Sequence, residues 1–101
     1  MEHFLTETIR CLEEQGYDIN SVSRIIDTQT QKWVRWETFK AQTKFHYVRS
    51  GNEIKINPYL QLVLRDGTKF IRHSESTGFE SWVYVPSAFA TTEVDELQYH
   101  F

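Results

Sequence analysis

A chain of 101 residues with 40% apolar and 25% charged side chains can build one hydrophobic core but not two, so a single domain over residues 1–101 is expected. That balance excludes an intrinsically disordered chain, the lone Cys11 excludes an internal disulfide, and no apolar run approaches the ~20 residues that cross a bilayer as a helix. With no secretion-type pattern after Met1, a cytoplasmic setting is expected.

Leu5, Ile9 and Leu12 recur at helical spacing with Phe4, Thr8 and Cys11 beside them, so residues 3–15 are predicted as an amphipathic helix. Gly16 suits the left-handed residue that ends it. Glu7, Arg10 and Glu14, three and four apart, are predicted on the solvated face. From Tyr17 to Thr30 the pattern fits either a short helix capped by Asn20 or a strand, with Ser23–Thr28 the better strand segment.

Lys32–Lys40 is rich in Trp, Val, Thr and Phe and is predicted as a strand. Its alternation leaves neither face cleanly apolar: Lys32, Val34, Trp36, Thr38 and Lys40 on one, Trp33, Arg35, Glu37 and Phe39 on the other. Lys44–Arg49 and Glu53–Ile56 read as strands joined by a turn at Ser50, Gly51 and Asn52. Pro58 then interrupts the ladder.

Asp66-Gly67 between Tyr59–Arg65 and Thr68–His73 predicts a hairpin with a two-residue type I′ turn. Through that turn Arg65 faces Thr68, Val63 faces Phe70 and Gln61 faces Arg72 on an exposed platform, with Leu60, Leu62, Leu64 and Ile71 in the core. Trp82–Val85 is a last strand stopped by Pro86. The tail from Ser87 is predicted to end in a short helix in which Thr92 caps and Val94 and Leu97 dock. The expected fold is α+β, an N-terminal helix packed on a mostly antiparallel sheet of four to six strands, with a short C-terminal helix or tail.

The formal charge of −3 hides a segregation. Residues 1–23 carry one Arg and five acids, residues 24–72 carry ten of the eleven Lys and Arg against four acids, and residues 73–101 carry five acids and no Lys or Arg. Cations interleaved with aromatic rings suit single-stranded nucleic acid, because Lys and Arg neutralise phosphates while flat rings stack on unpaired bases. The expected function is a small noncatalytic binding module for single-stranded DNA or RNA through a basic, aromatic sheet face formed by Arg35, Lys44, Arg49, Arg65, Phe70 and Arg72. The alternative is a protein-interaction module, an inhibitor, adaptor or subunit docking through Trp33, Trp36 and Trp82 and the acidic ends. Self-association into a homo-oligomer through a strand edge is compatible with both.

Catalytic chemistry is not expected. His3, His46, His73 and His100 are scattered without ligand spacing, so neither a metal nor another cofactor is anticipated. Cys11 reads as a small buried hydrophobe. The four glycines stand singly and form no phosphate-binding loop.

Overall fold

The computed structural model describes residues 1–49, 53–76 and 78–86. In chain order these form β1 (Glu2–His3), α1 (Phe4–Glu14), a single 3-10 turn (Ile19–Ser21), β2 (Val22–Asp27), β3 (Lys32–Val34), α2 (Trp36–Gln42), β4 (His46–Tyr47), β5 (Leu60–Leu64), β6 (Lys69–Ser74) and β7 (Glu80–Val85). The architecture is α+β. A five-stranded antiparallel sheet, in the order β3-β2-β5-β6-β7, accompanies a two-stranded sheet of β1 and β4.

The predicted first helix forms, and Gly16 follows it in the left-handed region at φ +80°. Its buried stripe is Phe4, Leu5, Thr8 and Leu12, joined by Glu7. Glu7 was expected in solvent and is instead fully buried. The phenolic oxygen of Tyr47 donates to its carboxylate at 2.5 Å and Arg49 donates at 2.8 Å, so the charge enters the core already partnered. Phe4 sits at the centre of the core, stacked on Trp82 at 5.9 Å and edge-on to Phe39 at 5.7 Å and Tyr47 at 5.9 Å.

Of the two readings for residues 19–28, the strand prevails, after the single 3-10 turn. Lys32–Lys40 departs from expectation: the strand ends at Val34 and α2 begins at Trp36. Trp36 and Phe39 are buried with Thr43, a spacing of three and four that only a helix turns to one side. Glu37 in its first turn and Lys40 in its last complement the helix dipole. Thr43 closes the C-terminal end by donating to the Phe39 carbonyl at 2.8 Å.

Lys44–Arg49 supplies only the two-residue β4, and Glu53–Ile56 forms no strand. That segment is held differently, with the Lys55 and Ile56 backbone N–H groups donating to the Glu80 carboxylate at 2.7 and 2.9 Å. The turn at residues 50–52 and the tail helix from Ser87 lie outside the described residues.

The Asp-Gly hairpin is present but one residue longer than predicted. Leu62 pairs with Phe70 and Val63 with Lys69. The Leu64 N–H donates to the Thr68 carbonyl at 2.9 Å, leaving Arg65, Asp66 and Gly67 in a three-residue loop with Gly67 at φ +89°. Such a loop places its last residue in the left-handed region. Asp66 fixes it by accepting from the Thr68 N–H at 2.9 Å and the Thr68 hydroxyl at 2.6 Å. Because side chains alternate with a period of two, the extra residue transfers all of β6 to the opposite faces. Phe70 and Arg72 join Leu62 and Leu64 inside, and Lys69 and Ile71 turn outward.

Candidate sheet-face and cleft site

Strand register sorts the five-stranded sheet into two faces. Val34, Ile25, Leu62, Phe70 and Tyr84 lie opposite one another across β3, β2, β5, β6 and β7 and face the helices. The intervening row is Trp33, Ile26, Gln61, Ile71 and Val83, followed by Arg24, Val63, Lys69 and Val85. No outward side chain in these rows is buried, while Phe4, Leu5 and Leu12 of α1 and Trp36 and Phe39 of α2 join the inner-face residues in the core. Among the described residues the outer face is open.

A bulge in β2 creates this sorting at its start. Val22 pairs with Leu64 and Arg24 with Val63, so Ser23 is the additional residue. It allows Val22 to point into the core and Arg24 to point out.

The outer rows contain no carboxylate. Their charges are Arg24 and Lys69, about 10 Å apart across β5 at the usual strand spacing. The Arg24 guanidinium lies 6.0 Å from the centre of the Trp33 ring, which is 49% exposed. Lys69 reaches the side-chain oxygen of Gln61 at 3.4 Å. Beyond Val63 the alternation continues to the exposed Arg65, whose Nε donates to the Asn20 carbonyl at 2.9 Å.

At this end of the sheet a cleft of about 520 Å³ opens, lined by Asn20, Ser23, Trp33, Arg35, Trp36 and Arg65 among others, with Glu37 its one acid. The Trp36 indole N–H has no hydrogen-bond partner among the described residues. Arg24, Arg35, Arg65 and Lys69 have no carboxylate within 4.0 Å among the described residues, whereas Arg10 and Lys55 each have one and Arg49 and Arg72 each have two.

Of the six residues predicted for nucleic acid, Arg35 and Arg65 come together in the cleft. Lys44 is exposed but follows the C-terminal end of α2, away from the Arg35 end. Phe70 is buried in the core. Arg49 and Arg72 are committed to an internal charge cluster. Arg72 lies 3.6 Å from Glu7 and 3.3 Å from Glu80, its guanidinium 5.0 Å from the Trp82 ring centre and 5.3 Å from that of Phe4.

Inside, Glu7 and Glu80 thus meet Arg49 and Arg72 and the four charges balance, while at the rim Glu2, paired with Arg10, lies 3.8 Å from Arg49. Burial, then the hydrogen bond to Glu7, push the Tyr47 hydroxyl above its ordinary range. Burial, followed by Glu7 and Glu14, raises the Cys11 thiol and keeps it protonated.

Of the three predicted tryptophans, Trp33 is exposed. Trp36 and Trp82 are buried, and the Trp82 indole donates to Thr8 at 2.8 Å. Sequence reasoning missed Arg24 and Lys69, whose placement follows from a bulge and a loop length. Comparison with protein-family models, curated proteins and solved structures finds no significant match. No described helix is long and apolar enough to cross a membrane.

Proposed function

We propose that this chain is a noncatalytic binding module for single-stranded DNA or RNA, with the polyanion lying across the open sheet face and its arginine-lined end cleft. The observation that carries the reading is the one-sided charge of the outer rows, where Arg24 and Lys69 occur without a carboxylate beside the exposed Trp33. Arg65 and Arg35 extend the cationic track into the cleft. Cations follow the phosphates and an exposed ring stacks on a base, which gives binding with little sequence preference.

Titration of a fluorescent oligothymidine at increasing salt tests the proposal. Binding is expected at low salt, and each phosphate contact adds about 0.7 to the slope of log affinity against log salt. Arg24→Ala and Lys69→Ala each flatten that slope by about 0.7, while Trp33→Ala weakens binding by about 1–3 kcal/mol without changing it. Absence of binding at low salt ends the proposal.

A second reading, a protein-interaction module, is favoured by the aliphatic part of the same face. Ile26, Val63, Ile71, Val83 and Val85 form a nearly continuous apolar surface, and such patches suit protein partners. Under this reading Ile71→Glu abolishes association with a purified partner, and nuclease treatment leaves the wild-type interaction intact.

A further inference from the structure

We propose that the cleft at the end of the sheet reads one base of the bound strand, and that this base is guanine; the inference rests on the nucleic-acid reading and names what its cleft selects. The cleft's volume of about 520 Å³ falls within the ~300–1,000 Å³ of pockets that hold small organic ligands. Unlike the outer rows of the sheet, which are indifferent to sequence, the cleft is lined by charges of both signs.

Arg65 enters it from the hairpin loop. Its backbone N–H donates to the Ser21 carbonyl and its Nε to the Asn20 carbonyl, both at 2.9 Å, so the side chain is anchored to the 3-10 turn. The two terminal nitrogens of the guanidinium remain as a fork of donors. Glu37 enters from α2 and is exposed. Its carboxylate has no cation within 4.0 Å among the described residues, and neither Arg35 nor Arg65 has a carboxylate within that distance. Opposite charges that share a cleft yet stay apart leave their hydrogen-bonding capacity to whatever lies between them. Trp33, 49% exposed, adds a ring for stacking.

Among the four bases, guanine is the best complement of this set. Its O6 and N7 accept the paired donors of a guanidinium, the commonest base-specific contact of arginine. Its N1–H and 2-amino group lie side by side and donate together to one carboxylate, which is an acceptor only. Cytosine and adenine offer a carboxylate one amino group, and thymine offers one ring N–H. Arg35 is left for a flanking phosphate. Glu37, which would oppose a phosphate in the cleft, thereby becomes the group that discriminates between bases.

Fluorescence anisotropy with oligothymidine strands carrying a single deoxyguanosine, deoxyinosine, deoxycytidine or deoxyadenosine tests the assignment. The deoxyguanosine strand is expected to bind about tenfold more tightly than oligothymidine, within the range of a bidentate base contact. Deoxyinosine, which lacks the 2-amino group, should bind about fivefold more weakly than deoxyguanosine, the worth of one hydrogen bond. Glu37→Gln, at an exposed position, should erase most of the difference between those two strands and strengthen oligothymidine binding, because a negative charge leaves the cleft. Arg65→Lys keeps the charge without the fork, and should reduce the guanine preference more than it weakens oligothymidine binding.

A deoxycytidine strand that binds as tightly as the deoxyguanosine strand overturns the proposal, as does a guanine preference that survives Glu37→Gln. Equal binding of every strand removes the base assignment and leaves the nucleic-acid reading standing, whereas absence of binding by all of them removes both.

Discussion

Arg72 is a buried charge with a large energetic stake. Its guanidinium is buried among Phe4, Tyr47 and Trp82 and balances Glu7 and Glu80. Arg72→Met preserves much of the packing but leaves the buried Glu80 carboxylate with no cation beside it, only the Lys55 and Ile56 N–H groups, and Glu7 with Arg49 alone. The expected loss is about 3–5 kcal/mol in chemical denaturation. Arg24→Ala, on the open face, should change stability by no more than about 0.5 kcal/mol.

Tyr17 ties α1 to the hairpin loop at the same scale. Its hydroxyl donates to Asp66 at 2.5 Å and lies 3.1 Å from Thr68 Oγ1 and 2.9 Å from Tyr84 Oη. The hydrogen bond to Asp66 is the main cause that pushes the phenol up to about 12, from an ordinary 10.0. A folded value above the unfolded one means that the contribution is complete below pH 10 and is lost as pH rises toward 12. Thr68, then Tyr17, hold Asp66 below its ordinary 3.8, so the acid side of the same contact fails as pH falls through that region. The stability difference between wild type and Tyr17→Phe, followed by thermal melts from pH 3 to 12, should therefore be a plateau that closes at both ends.

The β5–β6 hairpin sets much of the molecule's surface chemistry. Gly67 occupies φ +89°, so Gly67→Ala should cost about 1–2 kcal/mol in chemical denaturation. The sequence contained the hairpin, since Asp-Gly between apolar strands is a strong turn signal, but not its register. Phe70 and Ile71 are both apolar, and either loop length buries one of them. What decides is the burial of Arg72, which is tolerable only because Glu7 and Glu80, distant in sequence, meet it inside. No local pattern encodes that meeting. In α2 a warning was legible: a strand through Lys40 had no clean apolar face, while Trp36, Phe39 and Thr43 keep helical spacing. Strand propensity in that stretch yielded to burial of a helical stripe. Glu7 was misassigned to solvent for the same reason as Arg72, because its charge is compensated only in three dimensions. In the candidate site, Arg35, Arg65 and Trp33 were legible and Arg24 and Lys69 were not.

Across the whole molecule the two sides of the sheet differ in what they leave for a ligand. The helices take the inner face, and among the described residues the outer face is left to Trp33, aliphatic side chains and two cations. A ligand on that face displaces no element of the fold. Saturating oligonucleotide should therefore raise the melting temperature as the ligand concentration increases, by about 2.7 kcal/mol of stability at one hundred times Kd, while leaving the near-ultraviolet signature of the Phe4 and Trp82 core unchanged.

The neutral internal cluster also constrains how the chain can come apart. Its four charges arrive from α1, the segment after β4, β6 and β7. Withdrawing Glu7, Arg72 or Glu80 leaves a fully buried opposite charge uncompensated in a medium that solvates it poorly, so partial opening is penalised more than in an apolar core. Amide protons in the middle of α1 and in the β6–β7 ladder, remote in sequence, should consequently exchange with deuterium at one shared free energy, as a single cooperative unit.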